Sequence, residues 1–328
     1  MSAFLLHGPY GLAPHTAVEW WSALTPRLRF VAFVFAVLAL ATVVVGVARW
    51  RLGARVPDEL VARVRAWWVM AALVLGALLA GRGAAIVLFA LVSFWALKEF
   101  YTLLETRRAD HRALFWSFLA IPIQYAWAWT HWYGMFIVFI PVYMFLFLPI
   151  RLVLAGETRG FVASVAQLQW GLMAFVFGQS HLGFLAGLPP SPALDGRSLV
   201  MFLLFVIEIS DVMQYVWGKL AGRHKIIPAI SPNKTWEGFA GGIASATLAS
   251  LAVRFLTPFP VGETLGVALL VCVVGFFGGA VMSAVKRDFG VKDFGASIPG
   301  HGGVLDRVDS LCFAAPVFFH YVRYVHHF

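Results

Sequence analysis

The chain has 328 residues, of which 61% are hydrophobic and 16% aromatic, while only 12% are charged. A soluble domain carries about 45–50% apolar and about 25% charged residues, so a soluble enzyme, a disordered chain and a disulfide scaffold are excluded. The formal net charge of +9 is read as loop orientation in a membrane protein and not as nucleic-acid binding.

Met1 to Pro26 has neither a basic start nor a small-residue cleavage site, and no signal peptide is expected. Ten apolar segments follow, near residues 28–48, 67–81, 84–97, 113–130, 133–150, 160–184, 198–217, 236–255, 263–284 and 309–325. In lipid the backbone must satisfy its own hydrogen bonds, so these segments read as helices. Phe30 to Leu38 is continuously apolar, without the alternation of a barrel strand. The second and third segments are short and separated by Gly81-Arg82-Gly83. They form one tight hairpin or include an interfacial piece, which leaves eight to ten spans. The expected fold is an all-α, polytopic membrane protein: a single domain over 1–328, with N-terminal helices in 1–200 and motif-bearing helices in 201–328. Cys272 and Cys312 lie in apolar runs and form no disulfide or zinc pattern.

Alternating the loops gathers most cations on one side: Arg49, Arg51, Arg55, Arg63, Arg65, Lys98, Arg107, Arg108, Arg112, Arg151, Arg159 and the basic residues of the two loops described next. The other side keeps Arg27, Arg29, Arg82, Arg197, Arg254 and Arg323, and Leu188-Pro189-Pro190-Ser191-Pro192 is a turn there. The positive-inside bias makes the first side cytoplasmic. With no targeting peptide, the expected location is the inner membrane of a bacterium.

Two loops on that side are chemically dense. In the first, Glu208 and Asp211 stand one helical turn apart near a span end, where ionisable groups are costly. An interhelical hydrogen bond by a neutral Glu208 competes with a functional role. Ser231-Pro232-Asn233-Lys234-Thr235 reads as a turn leading into a helix that Thr235 caps, beside Lys234 and Glu237. The free N–H groups of that helix start form either an anion site or a plain cap. In the second loop, Asp306 and Asp309 share a face at the start of an apolar run, with Asp293 upstream. Such carboxylates suit a hard cation. Lys286, Arg287, Lys292 and Arg307 would serve phosphate oxygens, the pairing that metal-assisted nucleotidyl transfer needs. Gly300, Gly302 and Gly303 would let backbone N–H groups approach a phosphate. A solvated loop of helix caps and anchoring charges is the competing reading, yet orienting a helix does not call for four aspartates.

Ser283-Ala284-Val285-Lys286-Arg287, then Lys292-Asp293, then Pro299-Gly300-His301-Gly302-Gly303-Val304-Leu305-Asp306-Arg307-Val308-Asp309 resembles the signature of the phosphatidate cytidylyltransferases. Ile230 to Gly238 is similar to a second motif of that family. In the first half the likeness rests on hydropathy and on Lys98-Glu99-Phe100. The resemblance implies that CTP and phosphatidic acid react at the lipid bilayer to give CDP-diacylglycerol and pyrophosphate, with Mg²⁺ required and a monovalent cation such as K⁺ involved. It implies metal binding by Asp293, Asp306 and Asp309, with Asp211 and Glu237 contributing, and a homodimer by analogy. Lys234, Lys286, Arg287, Lys292 and Arg307 would hold phosphates. Lys292 and Arg307 also join the three loop aspartates as expected catalytic residues. Ser231 and Asn233 would bind nucleotide or hold the turn. His301, with Gly302 and Gly303, would shape the loop or contact phosphate.

One departure concerns the acceptor. Family members follow the first aspartate with small residues, whereas Asp211 precedes Val212-Met213-Gln214. A paralogue using CTP with another lipid is therefore an alternative. A transporter is the reading from a different class; it would place polar sites at mid-membrane depth, not at one face.

Overall fold

The computed structural model describes residues 21, 24–53, 57–104, 110–156, 159–189 and 194–328. Each of the ten apolar segments lies in a helix. The expectations for the N-terminal segment before residue 21, for Arg55, Arg107 and Arg108, and for the 190–192 turn fall outside the described residues. The helices are α1 (Pro26–Leu52), α2 (Asp58–Ala80), α3 (Arg82–Thr102), α4 (Asp110–Thr130), α5 (Tyr133–Val153) and α6 (Phe161–Gly187). They continue with α7 (Gly196–Leu220), α8 (Trp236–Leu256), α9 (Val261–Asp288), the short α10 (Leu305–Val308) and α11 (Leu311–His326). Among the described residues, eight helices are long and apolar enough to cross a membrane. The protein is an all-α polytopic membrane protein.

The short second and third segments become two full helices of 23 and 21 residues. The missing length of α2 comes from residues 58–66, where Asp58, Glu59, Arg63 and Arg65 interrupt the apolar run. Pro57 precedes it, Asp58 and Glu59 occupy the first turn, where the helix dipole favours negative charge, and Glu59 pairs with Arg63 at 2.5 Å. Gly81, at φ 133°, then turns the chain into α3.

Two helices carry π turns, Phe139–Met144 in α5 and Leu172–Gly178 in α6. Pro141 lies in the first and removes a backbone donor. The Gln169 amide reaches across from α6 to donate to the Ile140 carbonyl there, at 3.3 Å. Phe136, Phe175, Phe184 and Phe319 are fully buried between α5, α6 and α11, with Phe136 and Phe184 ring centres 4.8 Å apart.

α7 changes character along its length. Nearly every residue from Gly196 to Ile207 is buried, whereas Glu208 and Asp211 are exposed. Its second half packs on α8 along a glycine seam. A Cβ on Gly242 would stand 2.7 Å from the Gln214 backbone nitrogen, and one on Gly238 would stand 2.8 Å from the Gln214 carbonyl oxygen. Between these helices the expected turn is instead a two-stranded antiparallel hairpin, β1 (Lys225–Ile227) with β2 (Ser231–Thr235), in which Lys225 pairs with Thr235. Pro232 is tolerated because this strand has a partner on one side only. Thr235 ends the strand and caps α8, its hydroxyl accepting from the Gly238 N–H at 3.1 Å, as the sequence predicts.

Candidate functional site

The site forms where the ends of α2, α3, α7 and α9, the hairpin and the α9–α11 connection meet. Asp309 and Ser310 keep helical backbone angles between α10 and α11, so Asp306 and Asp309 stand one turn apart on a nearly continuous helix. Both reach Lys286 from the end of α9, whose ammonium lies 3.0 Å from Asp306 and 3.7 Å from Asp309. The shared face expected from their spacing is present.

The two aspartates have different partners beyond that lysine. The Asp306 carboxylate is buried, and its second oxygen accepts the Phe294 and Gly303 N–H groups, both at 2.9 Å. It is saturated by donors of its own loop. Asp309 turns the other way, toward α7. The Ser310 hydroxyl stands 3.1 Å from Asp211 and 3.5 Å from Asp309, so these two carboxylates meet at one hydroxyl. Glu208 feels the charges of both Asp309 and Arg307 and shares its helix face with Asp211. The i, i+3 pairing read from the sequence is thus realised at the exposed half of α7.

Lys234 enters this acidic pocket from the hairpin. Its ammonium lies 4.2 Å from the centre of the Phe276 ring and 3.4 Å from the Phe276 carbonyl. Gly279 leaves room for it, since a Cβ there would be 3.4 Å from the lysine nitrogen and 3.2 Å from the Ser310 hydroxyl. Burial pushes the Lys234 pKa below its ordinary value and neighbouring Lys286 adds to this, while Asp211 and Asp309 oppose it.

The glycine loop takes a form the sequence does not suggest. Pro299 and Gly300, the latter at φ 75°, hold the centre of a turn closed by the His301 N–H on the Ile298 carbonyl at 3.0 Å. The expected phosphate cradle is filled by protein carboxylates. The Gly303 N–H donates to Asp306, and those of Val304 and Leu305 donate to Glu99 at 3.0 and 2.8 Å. A Cβ on Gly302 would lie 2.8 Å from Asp306, and one on Gly303 would overlap the Glu99 carboxylate. Gly302 and Gly303 therefore admit two buried carboxylates rather than a ligand.

The remaining predicted residues divide between brace and rim. Glu237 accepts the Arg223 and His224 N–H groups, at 3.0 and 3.2 Å, and pairs with the His224 ring at 2.6 Å. Its oxygens hold the turn after α7. Arg287 donates to the Ile230 and Val291 carbonyls, at 3.3 and 3.1 Å, and ties the hairpin to the loop. His301 is buried, 6.0 Å from the Trp67 ring centre, and burial lowers its pKa, with Arg307 and Arg63 nearby reinforcing the shift. That environment disfavours the charged form of the imidazole. Asn233, Lys292, Asp293 and Arg307 are exposed, and Ser231 is half-buried.

Sequence reasoning gave Glu99, Arg63 and Ser310 no role at the site. Glu99 entered only within Lys98-Glu99-Phe100, the part of the first half that carries the family likeness. Arg63 read as one more orienting cation, yet its guanidinium donates to the Gly300 carbonyl at 3.1 Å.

Among the described residues, no three His, Cys, Asp or Glu side chains are grouped to hold a metal unaided. The five carboxylates expected as ligands thus separate: Asp306 and Glu237 are taken up by protein donors, Asp293 sits at the rim, and Asp211 and Asp309 converge. That pair suits Mg²⁺, which proteins hold through one or two carboxylates while water and substrate phosphates complete the octahedron.

Residues 61–325 match the cytidylyltransferase family. The chain is 42% identical over 297 residues to the uncharacterized protein YnbB of Escherichia coli, covering 90% of this chain and 98% of that protein. It is 41% identical over 125 residues to a phosphatidate cytidylyltransferase of Staphylococcus aureus, and 40% identical over 125 residues to that of Staphylococcus haemolyticus. Each of these two matches covers 38% of this chain and 48% of the relative, about half its length. The extent of the family match, over a site that pairs carboxylates with half-buried lysines at one end of a helical bundle, places the chain in the cytidylyltransferase family.

Proposed function

We propose that the protein transfers the cytidylyl group of CTP to phosphatidic acid, giving CDP-diacylglycerol and pyrophosphate. The observation that carries this reading is the convergence of Asp211 and Asp309 on Ser310, with Lys234 and Lys286 beside them.

In this reaction a phosphate oxygen of the lipid attacks the α-phosphorus of CTP and forms the new P–O bond. The bond from that phosphorus to the bridging β-oxygen breaks, and pyrophosphate leaves with the electron pair. A phosphomonoester is already ionised near pH 7, so the site needs no strong general base. Its work is to bring two polyanions together and hold developing charge in fixed geometry. Lys234 would meet the phosphates from the hairpin, and Lys292 and Arg307, both exposed, would receive them at the rim. Lys286 fixes the direction of Asp309. Asp211 and Asp309 would hold Mg²⁺, which would supply neutralisation of charge on the phosphate oxygens. The cation-rich face that carries the site is assigned to the cytoplasm, where CTP is found.

The test is conversion of phosphatidic acid to CDP-diacylglycerol by the purified chain in vesicles with CTP, with and without Mg²⁺. Product that requires Mg²⁺ is expected. A chain that binds CTP and makes no product would overturn phosphatidic acid as the acceptor, and one that does not bind CTP would overturn nucleotidyl transfer. One observation favours a second acceptor, another lipid phosphate: Val212-Met213-Gln214 directly follows Asp211, and Gln214 is wedged against Gly238 and Gly242. Running the assay with a polyprenyl phosphate in parallel separates the two.

A further inference from the structure

Glu99 is an acid in the last turn of α3, where the helix dipole disfavours negative charge, and it is 7% exposed. Burying a carboxylate is costly unless donors surround it, and here they all come from one distant segment. Val304 and Leu305 donate their N–H groups, and the Ser297 hydroxyl donates as well. Gly295 and Gly303 leave the space the carboxylate fills; a Cβ on Gly295 would be 3.0 Å from it. Val304 and Leu305 begin α10, the turn that aims Asp306 and Asp309. Asp306 ties the same loop from the opposite side, through Phe294 and Gly303. The loop is thus clamped between two carboxylates, one its own and one from the N-terminal half of the chain.

We infer that Glu99 is a positioning residue for the transfer reaction, fixing the start of α10 so that Asp309 faces Asp211. The inference rests on the function proposed above. Glu99 acts through the loop, and no role at the reacting phosphorus is assigned to it. Three donors specify a carboxylate. Glutamine presents an amide nitrogen to one of these N–H groups, while aspartate keeps the charge and both acceptors but is one methylene short.

The experiment compares the full-length wild type with Glu99→Gln, Glu99→Asp and Glu99→Ala in three measurements. These are amide hydrogen exchange, thermal unfolding, and steady-state turnover of CTP with phosphatidic acid. Exchange at Val304 and Leu305 is expected to rise at least tenfold in Glu99→Gln, with α5, α6 and α9 still protected. The turnover number should fall about 100-fold, as a displacement near 1 Å can cause, and the KM for CTP should stay within about threefold. Glu99→Asp should recover part of the turnover. Unchanged exchange at Val304 and Leu305 would overturn the inference. So would exchange and melting temperature failing across all helices in step with activity, since that marks general structural support. A wild type that makes no CDP-lipid sinks the proposed function separately. The exchange data and the CTP affinity of the variants then decide the positioning role.

Discussion

Lys286 and Asp306 form an ion pair at 3.0 Å whose side chains are 13% and 2% exposed. Breaking a buried pair leaves a charge without a partner and costs about 3–5 kcal/mol. Asp306→Asn should lower stability by that order, because it also loses the charge that draws the Phe294 and Gly303 N–H groups. Lys286→Met should cost a similar amount, and the double variant less than the two single losses together. Melting curves of the three proteins in one detergent check this. Strict additivity would show the pair to be uncoupled.

Asp211 and Asp309 should behave differently from Asp306. Their carboxylates meet at Ser310 without backbone donors from the glycine loop. Asp309→Asn and Asp211→Asn are expected to reduce turnover at least 100-fold, equivalent to about 3 kcal/mol of transition-state stabilisation. The melting temperature should stay near that of the wild type. A loss of stability matching that of Asp306→Asn would place Asp309 in the scaffold and remove it from the chemistry.

Metal removal is the complementary test. With two converging carboxylates among the described residues, affinity for Mg²⁺ should depend on CTP supplying further ligands. Chelation should abolish turnover reversibly and change the melting temperature little when CTP is absent. A large chelator effect on stability without CTP would indicate a closed structural metal site instead.

Lys234 gives the reaction a pH signature. Burial lowers its pKa, so as pH rises it loses its proton before an ordinary lysine does. Affinity for CTP, if Lys234 holds its phosphates, should therefore decline as pH rises, beginning below the usual lysine value of about 10.4. In Lys234→Arg the guanidinium keeps its charge, and the alkaline limb of kcat/KM should move upward even if the maximum is lower. An unmoved limb would assign it to another group.

The turn after α7 predicts a steric effect. A Cβ on Gly222 would overlap the Gly218 carbonyl and stand 2.8 Å from the Thr235 hydroxyl. Gly222→Ala should destabilise by about 1–3 kcal/mol through overpacking. Thermal melting reads this directly, while Gly262→Ala, with open space at its Cβ, serves as the control.

The sequence by itself determined the class of protein and the placement of its helices. Apolar runs must be helical in lipid, and the ten segments, the Thr235 cap and the shared face of Asp306 and Asp309 follow from local chemistry that spacing alone records. The length of α2 escaped that reading because four charged residues interrupt its first turns. The hairpin escaped it because β2 is a strand only through its partner β1, 225–227. The division of labour among the carboxylates was decided by the tertiary structure alone. Asp306 and Asp309 look equivalent in the chain, yet one faces the amides of its own loop and the other faces Asp211, 98 positions away in number but bridged by Ser310. Glu99 reaches Leu305 across 206 residues. Hydrogen bonds between segments so distant carry no local periodicity, and only the packing of α3 and α7 against the α10–α11 junction brings them into range.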